Sequence, residues 1–343
     1  MIPKSGSRFS NKIMLKRKTS MSQLCRWVLG LVLLAAASAA QAQSWPTRPV
    51  KLIVPTGPGA ATDVMARMMS ESVSRALGQQ LVVENLPGAS GIVAHQAVAR
   101  AAADGYTFLF SNTSGLATNP VTFKSIPYDP ARDFTPVATV VDFGPQMLSV
   151  NAEVPVTTVA ELIAHAKANP GKLSYAVDVT AGAAPFAARL LNKRANLGMV
   201  EVPYRSAAQM AQDVASGTVP VLISSMAAAN AVVQSGKVRR IALSSTKRFP
   251  PVPDLPTINE TVPGVTMDGW FVVVAPAGTP AEAVKRMNEA IGEFLKGAEI
   301  NKRLAAFGLG TSGAGTPATT GDFIRREQEK WRALAQELNI EKQ

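Results

Sequence analysis

Residues 51–63, KLIVPTGPGAATD, carry an apolar strand into a glycine-rich turn and the turn into a helix. Lys51 to Val54 read as the strand, Pro55 to Ala61 cannot extend it, and Thr62 begins the helical pattern. Val64, Met65, Met68, Met69, Val73 and Leu77 then recur at helical spacing, with Gly78 placed to end the helix. The first turn of a helix leaves backbone N–H groups unpaired and bears partial positive charge, so such a junction binds anions. Gly57 and Gly59 admit a ligand close to the backbone, and Thr62 offers a cap or a hydroxyl. Two other readings stand beside this one. The loop is a plain β-to-α turn, or it opens a dinucleotide-binding βαβ unit with Glu84 as the ribose acid; in that second case the third glycine of G-x-G-x-x-G falls at Thr62.

Upstream, residues 1–42 lie outside the fold. Lys4, Arg8, Lys12, Lys16, Arg17, Lys18 and Arg26 precede an apolar run from Trp27 to Ala37, and Ala40-Gln41-Ala42 has the form of a secretory cleavage site. A signal peptide cleaved near Ala42, with translation starting at Met1, Met14 or Met21, places the protein in the periplasm. An N-terminal membrane anchor fits less well, because the run is short for a bilayer. Of 35 Lys and Arg residues the leader holds 7, leaving 28 against 24 Asp and Glu, a net +4. That balance, with basic clusters no larger than Arg239-Arg240 and Lys247-Arg248, offers no nucleic-acid footprint. The one cysteine, Cys25, also lies in the leader, which suits an oxidising compartment without disulfides.

Downstream the pattern alternates strand and helix. KLIV, the helix from Thr62, LVVE, a helix through residues 92–103 and TFLFS form a βαβαβ series. Ser111-Asn112-Thr113-Ser114 then stands at the carboxyl end of the third strand, the edge where open α/β sheets collect ligands. After a proline-rich passage, IPYDPARDFTPVA, a second series opens at MLSV. Thr158 with Glu161 forms a capping box, and LSYAV, MVEV, VPVLIS and RRIALSS alternate with helices. GWFVVVAP supplies a late strand, and Thr279-Pro280-Ala281-Glu282 reads as a helix start with proline at the first helical position and a second capping box. The late strand and helices return to complete the first domain. Lobe 1 is therefore expected over 43–143 plus 266–343 and lobe 2 over 144–265, joined by two crossings that make a hinge.

Catalysis finds little support. His95 reads as structural and His165, among Ala164, Ala166 and Lys167, as a surface residue; neither is spaced with a cysteine or second histidine to hold a metal. Asp63 and Asp178 pair on paper as acid and base of a hydrolase. Asp63, however, is explained by its place in the first helical turn.

Across the chain after the leader, blocks in order resemble the Bug-type periplasmic solute-binding proteins of tripartite tricarboxylate transporters. They are WPTRPVKLIVPTGPGAATDVMAR, VVENLPGASGIVA, ADGYTFL, IPYDPARDFTPVA, ELIAHAKANPGKLSYA, VPYRSAAQMAQDVASGTV, GKVRRIALSSTKRFPPVPDLPTINE, Trp270 and APAGTP. The resemblance implies an α/β, two-lobed periplasmic binding-protein fold of the Venus-flytrap, type II-like kind, each lobe a central sheet flanked by helices. It implies a monomer, without cofactor, that binds a small carboxylated solute and delivers it to integral-membrane permease subunits. A ligand-sensing module signalling to a membrane sensor kinase is the alternative, and a dinucleotide-dependent enzyme stands behind both.

The ligand residues expected from lobe 1 are Thr56, Gly57, Gly59, Ala60, Ala61, Thr62, Asp63, Asn112 and Thr113. Lobe 2 is expected to add Asp178, Thr180, Ala181, Gly182, Tyr204 and Ser224, with Arg205 either in the cleft or beside the hinge. The chain departs from the family pattern in its pocket. Thr56-Gly57-Pro58-Gly59-Ala60 replaces the usual Phe-Ala-Pro-Gly-Gly, and Val179-Thr180-Ala181-Gly182 followed by Pro185 replaces a polar run ending in histidine. Ser224 stands where aspartate is common, and Ser206 where glycine is. With Val177, Ala181, Ala183 and Phe186 in and after that loop, the far wall is expected to be apolar and to favour a monocarboxylate with an apolar or aromatic body.

Overall fold

A computed structural model describes residues 45–343 except 178–181 and 205, and except the side chain of residue 207. The opening stretch folds as the pattern requires: β1 (Val50–Val54), α1 (Ala61–Leu77), β2 (Leu81–Asn85), α2 (Ile92–Ala99) and β3 (Thr107–Asn112). Val50, Leu52 and Val54 are fully buried, each contributing about 1.5–3 kcal/mol of apolar burial. The second helix ends at Ala99, short of the expected 103. A π-helical turn, Ser114–Thr118, leads into α3 (Asn119–Thr122), and β4 (Phe134–Val141) follows.

The second series comprises β5 (Gln146–Asn151), α4 (Val159–Ala168), β6 (Ser174–Val177), α5 (Ala183–Arg194), β7 (Val200–Pro203), α6 (Ala207–Ala215), β8 (Val221–Ser225), α7 (Met226–Val233) and β9 (Val238–Leu243). The chain closes with β10 (Phe271–Pro276), α8 (Ala281–Leu295), α9 (Ala298–Ala306) and α10 (Pro317–Glu337). The Thr158–Glu161 capping box forms as expected. The one expected at Thr279 does not: Pro280 takes the cap position in an extended conformation, and the Thr279 hydroxyl donates back to the Pro276 carbonyl at 2.8 Å.

Two five-stranded sheets result, β2-β1-β3-β10-β4 and β7-β6-β8-β5-β9. In the first, β1 is parallel to β2 and β3, while β10 runs antiparallel to β3 and β4. In the second, β6 is parallel to β7 and β8, while β5 runs antiparallel to β8 and β9. Each sheet thus takes its antiparallel strand from the chain as it arrives from the other. β4 is legible only in retrospect, because Pro136 argues against a strand; it lies at the sheet edge, where a missing N–H is tolerated.

The crossings between sheets, residues 142–145 and 244–270, lie side by side. The Gly269 N–H donates to the Gly144 carbonyl at 2.7 Å, and the Gln146 N–H to the Ser244 hydroxyl at 2.8 Å. Pro145 and Asp268 form an antiparallel bridge. The carboxyl ends of β1 and β3 in one sheet, and of β6 and β8 in the other, are where the loops carrying the expected site residues emerge.

Candidate functional site

At the end of β1 the loop turns on hydrogen bonds made by its own side chains. Asp63, in the first turn of α1, reaches back so that its Oδ2 accepts from the Gly59 N–H at 2.8 Å. Its Oδ1 accepts from Arg67 Nε at 2.9 Å and from Asn85 Nδ2 at 2.8 Å. Asn85 also donates to the Thr56 carbonyl at 3.0 Å and accepts from Arg67 Nη2 at 2.9 Å. Burial works to raise the Asp63 pKa, but the Gly59 N–H, the Asn85 amide and the Arg67 guanidinium outweigh it and hold the carboxyl below its ordinary value. Thr56 and Thr62 join hydroxyls at 2.5 Å, with Thr62 buried.

Every polar atom of the Asp63 and Asn85 side chains is therefore committed, and the Asp63 charge is matched by Arg67. What this leaves at the mouth of the loop are the first-turn N–H groups at residues 61 and 62, which have no intrahelical acceptor, and the positive end of a 17-residue helix. Gly57, Gly59 and Ala60 lie along the same partly exposed rim.

Beneath this edge a buried polar stack sets the position of β3. His95 is fully buried, its Nδ1–H donating to the Gly91 carbonyl at 2.7 Å and its Nε2 accepting from Ser111 Oγ at 2.7 Å. The carbonyl can only accept, which assigns the tautomer. Burial pushes the imidazole down to about 4, so it is neutral. Tyr128 stacks on it at 5.3 Å and donates its hydroxyl to the Gly115 carbonyl at 2.7 Å. Gly115 presses close to the ring, where a Cβ would sit 1.9 Å from Cε1 and Nε2 of the imidazole; only glycine fits. Asn112 Oδ1 accepts from the Gly115 N–H at 3.1 Å, and Thr113 Oγ1 accepts from the Trp270 N–H at 2.8 Å. Thr113 thus ties the end of β3 to the entry of β10, while Asn112 bonds within its own turn.

On the second sheet Asp178, Thr180 and Ala181, with Val179, lie outside the described residues, as does Arg205. Gly182 caps α5 with φ 134° and ψ −177°, a conformation suited to glycine, and no side chain caps the helix. Tyr204 is half-buried and donates its hydroxyl to Asp213 at 2.8 Å. Ser224 is fully buried, while the exposed Ser225 beside it caps α7 by accepting from the Ala228 N–H. Val177 and Phe186 are also fully buried, Phe186 against Trp331 at 5.0 Å.

Glu84, the acid of the dinucleotide reading, is exposed and paired with Lys51 at 3.3 Å; the residue that meets the loop is Asn85, one step further on. Asn85, Arg67, Gly115 and Trp270 are contributors that sequence reasoning did not select. The spacing of Arg67 four residues after Asp63 was the available signal. At the crossings, Asp268 is pushed up to about 7 by burial, with Glu327 and Asp142 adding to the effect and Lys330 and the Gly144 N–H opposing it.

Two mixed sheets joined at paired crossings, with a helix start at the carboxyl edge of one, are the architecture of the periplasmic binding-protein class. The chain belongs to the tripartite tricarboxylate transporter family of receptors, whose model matches residues 65–340. It is 38% identical to a UPF0065 protein of Bordetella bronchiseptica over 314 residues, 91% of this chain and 92% of that one. The solved structure of R. palustris Rpa4515 with adipate is 36% identical with a TM-score of 0.79, covering 87% of this chain and all of that one. The periplasmic binding protein BugD is 29% identical with a TM-score of 0.74 over the same shares. The family is one of periplasmic receptors for small carboxylates that work with membrane transporter subunits, not a family of enzymes. Among the described residues no helix is long and apolar enough to cross a membrane.

Proposed function

We propose that this protein is a periplasmic receptor that takes one carboxylate of a small organic acid onto the N-terminus of α1 and delivers the acid to a tripartite tricarboxylate-type permease. The acid is held between lobe 1, residues 43–143 with 266–343, and lobe 2, residues 144–265. One observation carries the reading: Asp63 is fully satisfied by Gly59, Asn85 and Arg67, so the helix start is left with free N–H donors and no free carboxylate to repel an anion. A chain-like acid with an apolar middle suits such a site, because among the described residues Thr56, Thr62, Asp63, Asn85 and Thr113 are already engaged with one another or with the backbone. The adipate held by Rpa4515 is an acid of this kind. The receptor acts as a monomer, released from its leader near Ala42.

Thermal melting of residues 43–343, refolded to remove carried-over solute, tests this against adipate, malate, citrate and benzoate. An acid at about a hundred times its dissociation constant adds about 2.7 kcal/mol, several degrees for a chain of this size. A shift with adipate is expected, and one with citrate alone would refute the apolar-bodied ligand. Absence of any shift would refute the receptor reading of the α1 loop.

A further inference from the structure

Helix α10 packs on the first sheet, and side chains along its second half reach α5 of the second. Its Thr320 hydroxyl lies 3.2 Å from that of Thr139 on β4, and Gln328 Nε2 donates to the Leu116 carbonyl at 3.0 Å. Midway, Glu327 Oε2 accepts from Trp270 Nε1 at 2.9 Å, where the second crossing enters β10, and from Trp331 Nε1 at 3.0 Å. From there side chains of α10 meet α5. Trp331 meets Phe186 edge-on at 5.0 Å, both fully buried. Further along both helices, Arg194 grips Glu337 with two hydrogen bonds, Nε to Oε1 at 2.9 Å and Nη2 to Oε2 at 3.0 Å. Lys193 donates to the Glu337 carbonyl, and Arg194 Nη1 to the Pro263 carbonyl at 3.2 Å.

The two contacts are therefore met in the same order along both helices. Eight residues of α5 separate Phe186 from Arg194, about 12 Å along the helix. The buried aromatic contact lies near the head of α5, and the ion pair is at its far end, about a third exposed. Head and tail have different tasks. An edge-to-face ring contact tolerates rotation about itself, while a two-pronged guanidinium–carboxylate pair fixes both spacing and angle. α5 is the next helix after β6, so a shift of α5 against α10 moves the head of α5 relative to α1. α10 is in effect a third connection between the sheets, beside the two crossings of the chain.

We propose that Arg194 and Glu337 are positioning residues for solute binding, clamping the tail of α5 to α10 and so fixing the angle at which the second sheet's loop edge is presented to the first. Glu337 acts through α5 and touches no solute. The proposal rests on the receptor reading for its purpose, but not for its first test.

Residues 43–343 contain no cysteine, so paired spin labels at Arg75→Cys on α1 and Lys167→Cys on α4, both exposed, report the distance between lobes. Glu337→Gln and Arg194→Gln are each expected to shift or broaden the distance distribution. The charge-swapped pair Arg194→Glu with Glu337→Arg is expected to restore it. In adipate titrations Glu337→Gln is expected to change Kd about three-fold or more, with the swapped pair returning toward the parent value. A parental distance distribution in Glu337→Gln, with only a lower melting temperature, would make the pair merely structural and overturn the proposal. A shifted distribution without adipate binding to any variant would uphold the clamp while refuting adipate as ligand.

Discussion

The same β-loop-α edge is built twice in this molecule, and the two copies are wired differently. At the head of α1 an acid in the first turn is tied to the preceding loop and to the next strand, with Gly59 N, Asn85 and Arg67 all on one carboxylate. At the head of α5 there is no acid in the first turn, no side-chain cap, a glycine at φ 134° and a proline, Pro185, where a third N–H would otherwise be free. The first edge is a preset cradle of backbone donors. Behind the second, Phe186 packs edge-on against Trp331. Side chains that hold a loop in place are unavailable to hold a ligand, so a heavily wired loop recognises its ligand through the backbone.

The largest effect should come from beneath the first edge. Gly115→Ala drives a Cβ into the His95 ring and is expected to cost about 3 kcal/mol or more in urea unfolding. Next comes pH. His95 is neutral in the fold down to about 4 but protonates near 6.5 when unfolded, so the unfolded state binds the extra proton in that window. Stability present above pH 6.5 is lost as pH falls toward 4, by about 3 kcal/mol. Asp268 runs the other way. Its folded value of about 7 against 3.8 unfolded means the fold binds the extra proton, so its contribution falls as pH rises from 4 to 7. Acid unfolding of Asp268→Asn should therefore show a steeper loss below pH 6.5 than the parent; a parallel profile would remove Asp268 from the balance.

Asp63→Ala should cost about 2 kcal/mol by leaving the Gly59 N–H, Arg67 Nε and one of the two Asn85 amide hydrogens without an acceptor, and should weaken acid binding by releasing the loop. Gly182→Ala is expected to cost about 1 kcal/mol of backbone strain and to act more on affinity than on melting. Equal effects of these two on affinity and stability would erase the contrast between the edges. Thr56→Val removes half of a hydroxyl pair and should cost under about 1 kcal/mol, with affinity close to the parent.

Much of the fold was legible in the sequence because the signals are local. Strand-loop-helix periodicity placed β1, α1 and β3, and the Thr158–Glu161 pair placed α4. β4 was hidden by Pro136, whose edge position only the sheet order reveals. At the site, the loop at Gly57 to Thr62 was legible as a helix start. The fate of the polar side chains was not. Asn112, Thr113, Tyr204 and Ser224 are polar residues at the right edge, yet each has a protein partner: Asn112, Tyr204 and Ser224 bond within their own stretch of chain, and Thr113 bonds to Trp270, 157 residues away. The Arg194–Glu337 clamp joins residues 143 apart and has no local signature at all.

Recognition of a carboxylate by the backbone at the head of α1 is tested most directly by calorimetric titration of residues 43–343 with adipate and with adipamide, its neutral counterpart of the same length. Saturable binding of adipate with no measurable binding of adipamide is expected, and Thr56→Val should leave the adipate Kd within about two-fold. Adipamide binding as tightly as adipate, or adipate binding abolished by Thr56→Val, would contradict it.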